Sequence, residues 1–133
     1  MQAVATNKKI LLIEDEPAIT RLCERVLSLQ GFKVDIVTSG LTARELINCA
    51  RYDLYISDIR IPGISGIELY DYLLNKHPAL IFRTIFMSGD LLNPQIINFL
   101  LKDFVAFLPK PFSPDDLVMK VNEVMCMQYS LPQ

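Results

Sequence analysis

Five residues whose chemistry goes beyond structure are spread along the chain: the neighbours Glu14 and Asp15, then Asp58, Ser88 and Lys110. Three carboxylates, a hydroxyl and an ammonium are the groups that chemistry on a phosphoryl group uses. Carboxylates brought within roughly 4–6 Å repel and raise one another's pKa, so something positive has to hold them together. Oxygen ligands with open positions suit a hard cation that keeps several waters, and Mg²⁺ is the usual one for phosphoryl transfer. An aspartate can itself be a covalent nucleophile, and the protein then needs to do little more than position it and neutralise the equatorial oxygens. A metal, Lys110 and the Ser88 hydroxyl can each meet one of those oxygens. Singly, every one of these residues has a plainer reading. Acids after strands are common turn formers, Ser88-Gly89-Asp90 is ordinary turn chemistry, and a loop lysine is usually just solvated. The chemical reading holds only if the fold gathers them.

The hydrophobic periods say where they fall. Short β-type runs alternate with helical patterns, and no Gly/Ser/Pro-rich linker interrupts them. Strands are expected over 9–14, 33–37, 53–57, 81–87 and 105–108. The first helix starts near Pro17, carries Ile19, Leu22, Cys23 and Val26 at helical spacing and stops at Gly31. The second starts near Leu41 and repeats the spacing with Ala43, Leu46, Ile47 and Ala50. After a loop with Pro62, Gly63 and Gly66, a third helix turns Tyr70, Leu73 and Leu74 inward and ends before Pro78. Helices over 94–102 and 114–127 complete the set. Five strands alternating with five helices, joined by right-handed crossovers, predict a three-layer α/β domain with an open parallel sheet covered on both faces. In such sheets the functional crevice lies beyond the carboxyl ends of the strands, where strand order reverses. Glu14, Asp15, Asp58, Ser88 and Lys110 all follow or end strands, so the topology gathers them.

At 133 residues and 51% hydrophobic content, the chain fits one domain with a real core. Its apolar runs, such as Ile10-Leu11-Leu12-Ile13, are far too short to span a membrane. Residues 1–9 show neither the apolar centre nor the cleavage pattern of a secretory signal, so a cytoplasmic location is expected. A net charge of −2 with dispersed Lys and Arg lacks the footprint of a nucleic-acid binder. Cys23, Cys49 and Cys126 are odd in number and lack metal-ligand spacing; as helix residues among apolar neighbours they are expected to be buried, reduced thiols. His77, between Lys76 and Pro78, is expected to be a surface helix cap.

These residues resemble the receiver domains of two-component response regulators. The likeness runs over 9–127, nearly the whole chain, leaving a flexible N-terminal segment 1–8 and a tail 128–133. It rests on Leu12-Ile13-Glu14-Asp15-Glu16-Pro17, on Ser57-Asp58-Ile59-Arg60-Ile61-Pro62-Gly63, on Ser88-Gly89 and on Leu108-Pro109-Lys110-Pro111-Phe112. The resemblance implies a flavodoxin-like (βα)5 fold of strand order 2-1-3-4-5, with Asp58 as phosphoacceptor. It implies Mg²⁺ held by Asp15, Asp58 and the Arg60 carbonyl, with Glu14 acting through water. Lys110 and Ser88 would contact the phosphoryl oxygens, and Lys110–Pro111 would be cis. A histidine kinase or histidine phosphotransfer protein would be the donor. The chain would catalyse its own phosphorylation and dephosphorylation, as a monomer or a weak phosphorylation-dependent homodimer. The switch would pair Ser88 with Phe107, which lacks the phenolic oxygen a tyrosine offers there, and the output face would be the fourth helix, fifth strand and fifth helix. The stretch from Met87 to Pro94, with Phe99-Leu100, also resembles receivers at the C-terminus of hybrid sensor kinases. Two details depart from the commoner pattern: Glu14 replaces an aspartate, and Ser65 stands where many relatives have aspartate. Arg60 and Asp90, each two places beyond a site residue, are positioned to face each other at the mouth and hinder the water that hydrolyses a phosphoaspartate.

Other readings fit less well. An aspartate-nucleophile phosphohydrolase places Asp-x-Asp after the first strand, where this chain has Glu14-Asp15-Glu16-Pro17. A flavin carrier needs a Ser/Thr/Gly-rich phosphate loop at that point, and the acids there repel phosphate. A degenerate receiver that binds partners without phosphate would have no physical reason to keep like charges buried together.

Overall fold

The computed structural model describes residues 7–130, with side chains through 126. Residues 1–6 of the expected N-terminal segment and 131–133 of the expected tail lie outside the described residues. Strands β1 (Lys9–Ile13), β2 (Lys33–Val37), β3 (Leu54–Asp58), β4 (Thr84–Ser88) and β5 (Ala106–Pro109) alternate with helices α1 (Pro17–Leu29), α2 (Gly40–Cys49), α3 (Gly66–Lys76), α4 (Pro94–Leu100) and α5 (Pro114–Ser130). All strand pairs are parallel, in the order β2-β1-β3-β4-β5, as the sequence leads one to expect.

The central strands are apolar on both faces because both faces are covered. Alternation along β1 sends Leu11 and Ile13 into one core layer, where they meet Ala43, Ile47, Leu69, Tyr70, Leu73, Ile96 and Phe99 of α2, α3 and α4. Ile10 and Leu12 point the other way, to Cys23 and Leu27 of α1 and Leu117, Val121 and Val124 of α5.

Local signals set the element ends. Pro17 occupies the first turn of α1, and Gly31 ends it in the left-handed region at φ 93°, with its N–H on the Ser28 carbonyl. Ser65 caps α3 in a capping box: its hydroxyl accepts from the Glu68 N–H while Glu68 accepts from the Ser65 N–H. The serine noted above as a departure is thus the working N-cap of α3. His77 is the C-cap of α3, and its Nε2 lies 2.9 Å from Asn48 Oδ1, in keeping with the expected surface role.

Four expectations are corrected. Residues 81–83 are not strand: Pro78–Arg83 forms a 3₁₀ helix, and β4 starts at Thr84. The apolar run Leu80-Ile81-Phe82 serves short helix and strand equally, and Pro78 favours the helical turn. Leu74 is 52% exposed, because the inward stripe of α3 runs through Leu69, Tyr70 and Leu73 and leaves the next position outside. Only Cys23 is buried; Cys49, the last residue of α2, and Cys126 on the outer face of α5 are exposed. The last helix runs three residues further than 127, to Ser130.

Candidate functional site

The first requirement of the site is that the strand ends be level. Ile59 N–H donates to the Met87 carbonyl at 2.9 Å and Lys110 N–H to the Ser88 carbonyl at 2.9 Å, so the residues after β3, β4 and β5 emerge side by side. Close approach of α3 is possible because Gly66 has no Cβ; one built there would sit 2.7 Å from the Ile59 Cα.

Glu14, Asp15 and Asp58 each offer a carboxylate oxygen, and these oxygens lie within 4.8 Å of one another. Glu14 is fully buried, Asp58 nearly so, and Asp15 is exposed toward the opening. Lys110 Nζ stands 2.9 Å from Glu14 Oε2 and 2.9 Å from Asp58 Oδ2, with Glu16 Oε2 further off at 3.9 Å. Burial pushes the Glu14 carboxyl up, and neighbouring Asp58 adds to the rise against the opposing pull of Lys110. Burial alone would lower the Lys110 pKa, but its hydrogen bonds to Asp58 and Glu14 outweigh this and raise it. The lysine is therefore held as a cation inside the acid cluster. The Lys110–Pro111 bond that sets its loop is cis.

Backbone N–H groups hold the other oxygens of the two buried carboxylates. Asp58 Oδ1 accepts from the Arg60 N–H at 3.2 Å, and Glu14 Oε1 from the Glu16 N–H at 3.1 Å. Ser88 is buried, and its Oγ accepts from the Asp90 N–H at 3.1 Å. The Arg60 side chain forms an ion pair with Asp90, as the spacing of the two residues suggested. Phe107, half-buried on β5 in register with Phe86, lines a groove of about 310 Å³ with Ile81, Phe82, Phe104 and Val124.

Of the residues given site roles in sequence, Glu14, Asp15, Asp58 and Lys110 thus stand together, with Ser88 and Arg60 bonded to Lys110 and Asp58 through backbone N–H groups, while Phe107 lines the separate groove. The donor set is oxygen-only, three carboxylates around one opening, which fits a hard divalent cation. Sequence reasoning gave no role to Glu16 or to Ser57, whose buried hydroxyl donates to the Asp58 carbonyl at 3.0 Å. A small polar residue within the apolar strand Leu-Tyr-Ile-Ser-Asp was the available signal.

Residues 10–122 match the family model of the response regulator receiver domain. The chain belongs to that family. This receiver is 31% identical over 116 residues to the probable transcriptional regulator ycf29 of Porphyra purpurea, a match covering 87% of this chain and 56% of that protein. It spans between 12% and 56% of the length of the curated relatives it resembles. Among solved structures, a CheY-like receiver domain from Methanospirillum hungatei JF-1 superposes with a TM-score of 0.83 at 25% identity, over 94% of this chain and 98% of that one. The receiver domain of a sensor histidine kinase from Pseudomonas aeruginosa PAO1, described with a magnesium ion coordinated in its active-site cleft, gives a TM-score of 0.80 at 24% identity, over 91% and 99% of the two chains. The flavodoxin-like fold is therefore common to all three. Among the described residues, no helix is long and apolar enough to cross a membrane.

Proposed function

We propose that this receiver is a phosphoacceptor switch in which Asp58 takes a phosphoryl group from a histidine kinase or a histidine phosphotransfer protein. The observation that carries this reading is Lys110 bridging Asp58 and Glu14 at 2.9 Å each beside the Asp15 carboxylate. An Asp58 carboxylate oxygen forms the new bond to phosphorus as the bond from phosphorus to the donor's imidazole nitrogen, or to a small donor's acyl oxygen, breaks and the leaving group keeps the electron pair. Lys110, already within the acid cluster, neutralises an oxygen of the arriving group without reorganisation. Ser88 Oγ accepts from the Asp90 N–H, and its own O–H donates to another such oxygen as the hydroxyl moves toward it.

Asp15, Asp58 and the Arg60 carbonyl, with Glu14 behind them, are the residues that would hold Mg²⁺, as the acidic cluster and the magnesium described in the Pseudomonas receiver support. When bound, the cation supplies charge neutralisation for both carboxylates and phosphoryl oxygens. The Ser88 movement is the input to Phe107, whose ring is half-buried on β5, and the face of α4, β5 and α5 is the output. A phosphorylation-dependent, weak homodimer through that face is one form the output can take. No phosphohydrolase activity on other substrates and no nucleic-acid binding by this chain is proposed.

The test is intact mass after adding a small acyl phosphate, with and without Mg²⁺, for the wild type and Asp58→Asn. A Mg²⁺-dependent gain of one phosphoryl group that vanishes in the variant is the expected result. No gain in the wild type would move the reading to a phosphate-independent interaction module.

A further inference from the structure

Ser57 has no part in the chemistry so far, yet it spends a buried hydroxyl beside the reactive aspartate. It is fully buried on β3, in register with Ile13 of β1 and Phe86 of β4, in the apolar layer beneath α2, α3 and α4. Placing a hydroxyl there costs free energy unless it is hydrogen-bonded. Its bond is to the Asp58 carbonyl, at 3.0 Å.

That carbonyl sits where the sheet runs out. Ile59 N–H donates to Met87 on β4, so alternation along the strand turns the Asp58 carbonyl to the β1 side. β1 ends at Ile13, which is in register with Ser57, one residue short of Asp58. On the other flank the α3 N-terminus presses close: a Cβ on Gly66 would lie 3.0 Å from the same carbonyl oxygen. The peptide after Asp58 is therefore held by a side chain at the point where the ladder to β1 stops.

We propose that Ser57 is a positioning residue for Asp58, its hydroxyl fixing the peptide plane from which the phosphoacceptor carboxylate projects toward Lys110. The inference rests on the reading of Asp58 as phosphoacceptor. Small displacements of a reacting group lower rates steeply, so loss of the donor acts on the chemical step and not on donor binding.

The experiment follows the rate of phosphoryl gain by intact mass against acetyl phosphate concentration at saturating Mg²⁺, for the full chain as wild type, Ser57→Ala, Ser57→Cys and Ser57→Thr, with the urea midpoint of each. Ser57→Ala lowers the limiting rate on the order of tenfold with the half-saturating donor concentration unchanged. Ser57→Cys, similar in size but a weak donor, behaves as alanine does, and Ser57→Thr, which keeps the hydroxyl, recovers the rate. A wild-type limiting rate in Ser57→Ala or in Ser57→Cys overturns the proposal, as does a loss of rate that follows the urea midpoint across all three variants. If the wild type gains no phosphoryl group, the reading of Asp58 fails first and the inference falls with it.

Discussion

Arg60 and Asp90 join the loop after β3 to the loop after β4 through a single ion pair, each residue two places beyond a member of the acid and hydroxyl pocket. Backbone bonds extend the link inward: the Arg60 N–H reaches Asp58 and the Asp90 N–H reaches Ser88. Both side chains are substantially exposed, so the pair contributes only about 0–1 kcal/mol to stability. We propose that the pair acts on access to the pocket instead.

Arg60→Ala is accordingly expected to shorten the lifetime of the phosphorylated protein severalfold while leaving the urea midpoint nearly unchanged. Mass spectra taken over time after donor removal measure this. An unchanged lifetime would mean that the pair does not hinder the hydrolytic water.

Adding Mg²⁺ to the unphosphorylated protein is expected to raise its melting temperature, because a cation that binds only the folded acid cluster stabilises by about 2.7 kcal/mol at a hundredfold excess over its dissociation constant. Asp15→Asn, which removes the exposed ligand, is expected to abolish most of that rise. Thermal unfolding across a Mg²⁺ series, with EDTA as the reference, checks both statements. An equal rise in the variant would place the cation elsewhere.

Cys23 is buried, and its thiol is pushed up to about 12 by desolvation and then by the nearby Glu14 charge. The sign is that of a raised pKa: the stability it contributes is present below the unfolded value and is lost as pH rises from about 9 toward 12. Cys23→Ala is expected to flatten the decline of the urea midpoint over that range. In native protein at neutral pH, a thiol-alkylating reagent is expected to modify Cys49 and Cys126 quickly and Cys23 only after unfolding.

Gly40→Ala is expected to destabilise the fold by about 1–3 kcal/mol through overpacking. A Cβ there would fall 2.1 Å from the Ile64 carbonyl oxygen, and backbone cannot give way as a flexible side chain can. The Gly40 N–H also donates to the Pro62 carbonyl at 2.8 Å, so the loop after β3 and the start of α2 are bound together there. A midpoint equal to that of the wild type would show that this loop yields at little cost.

Much of the fold could be read in advance because its signals are local. Period-two and period-3.6 patterns place the elements, and Pro17 and Gly31 punctuate them. The acid pocket was legible for a further reason: the fold rule turns strand ends, far apart in sequence, into neighbours. What was hidden depends on distance or direction in space. Nothing in Ala79-Leu80-Ile81-Phe82 distinguishes a 3₁₀ turn from a strand, since both bury a short apolar run. The exposure of Cys49, Leu74 and Cys126 turns on which side of a helix meets the sheet, and that depends on rotations of a few tens of degrees. Phe104, at φ 68° with its ring against Phe82 at 5.1 Å, adopts a backbone conformation that a bulky residue's sequence context does not announce. Ser57 gave only the faint sign of a hydroxyl inside an apolar strand.

The Lys110 to Glu14 contact closes 96 residues of chain, and Lys110 to Asp58 closes 52. Contacts of such long range carry the loop-closure entropy of the chain between them and are slow to form. Within the domain, the acids are made before their counter-charge. A nascent chain, or one cut before β5, holds Glu14, Asp15 and Asp58 without the lysine that offsets part of their charge. The pocket therefore joins its acids to Lys110 only in a molecule whose first and last strands have both found the sheet.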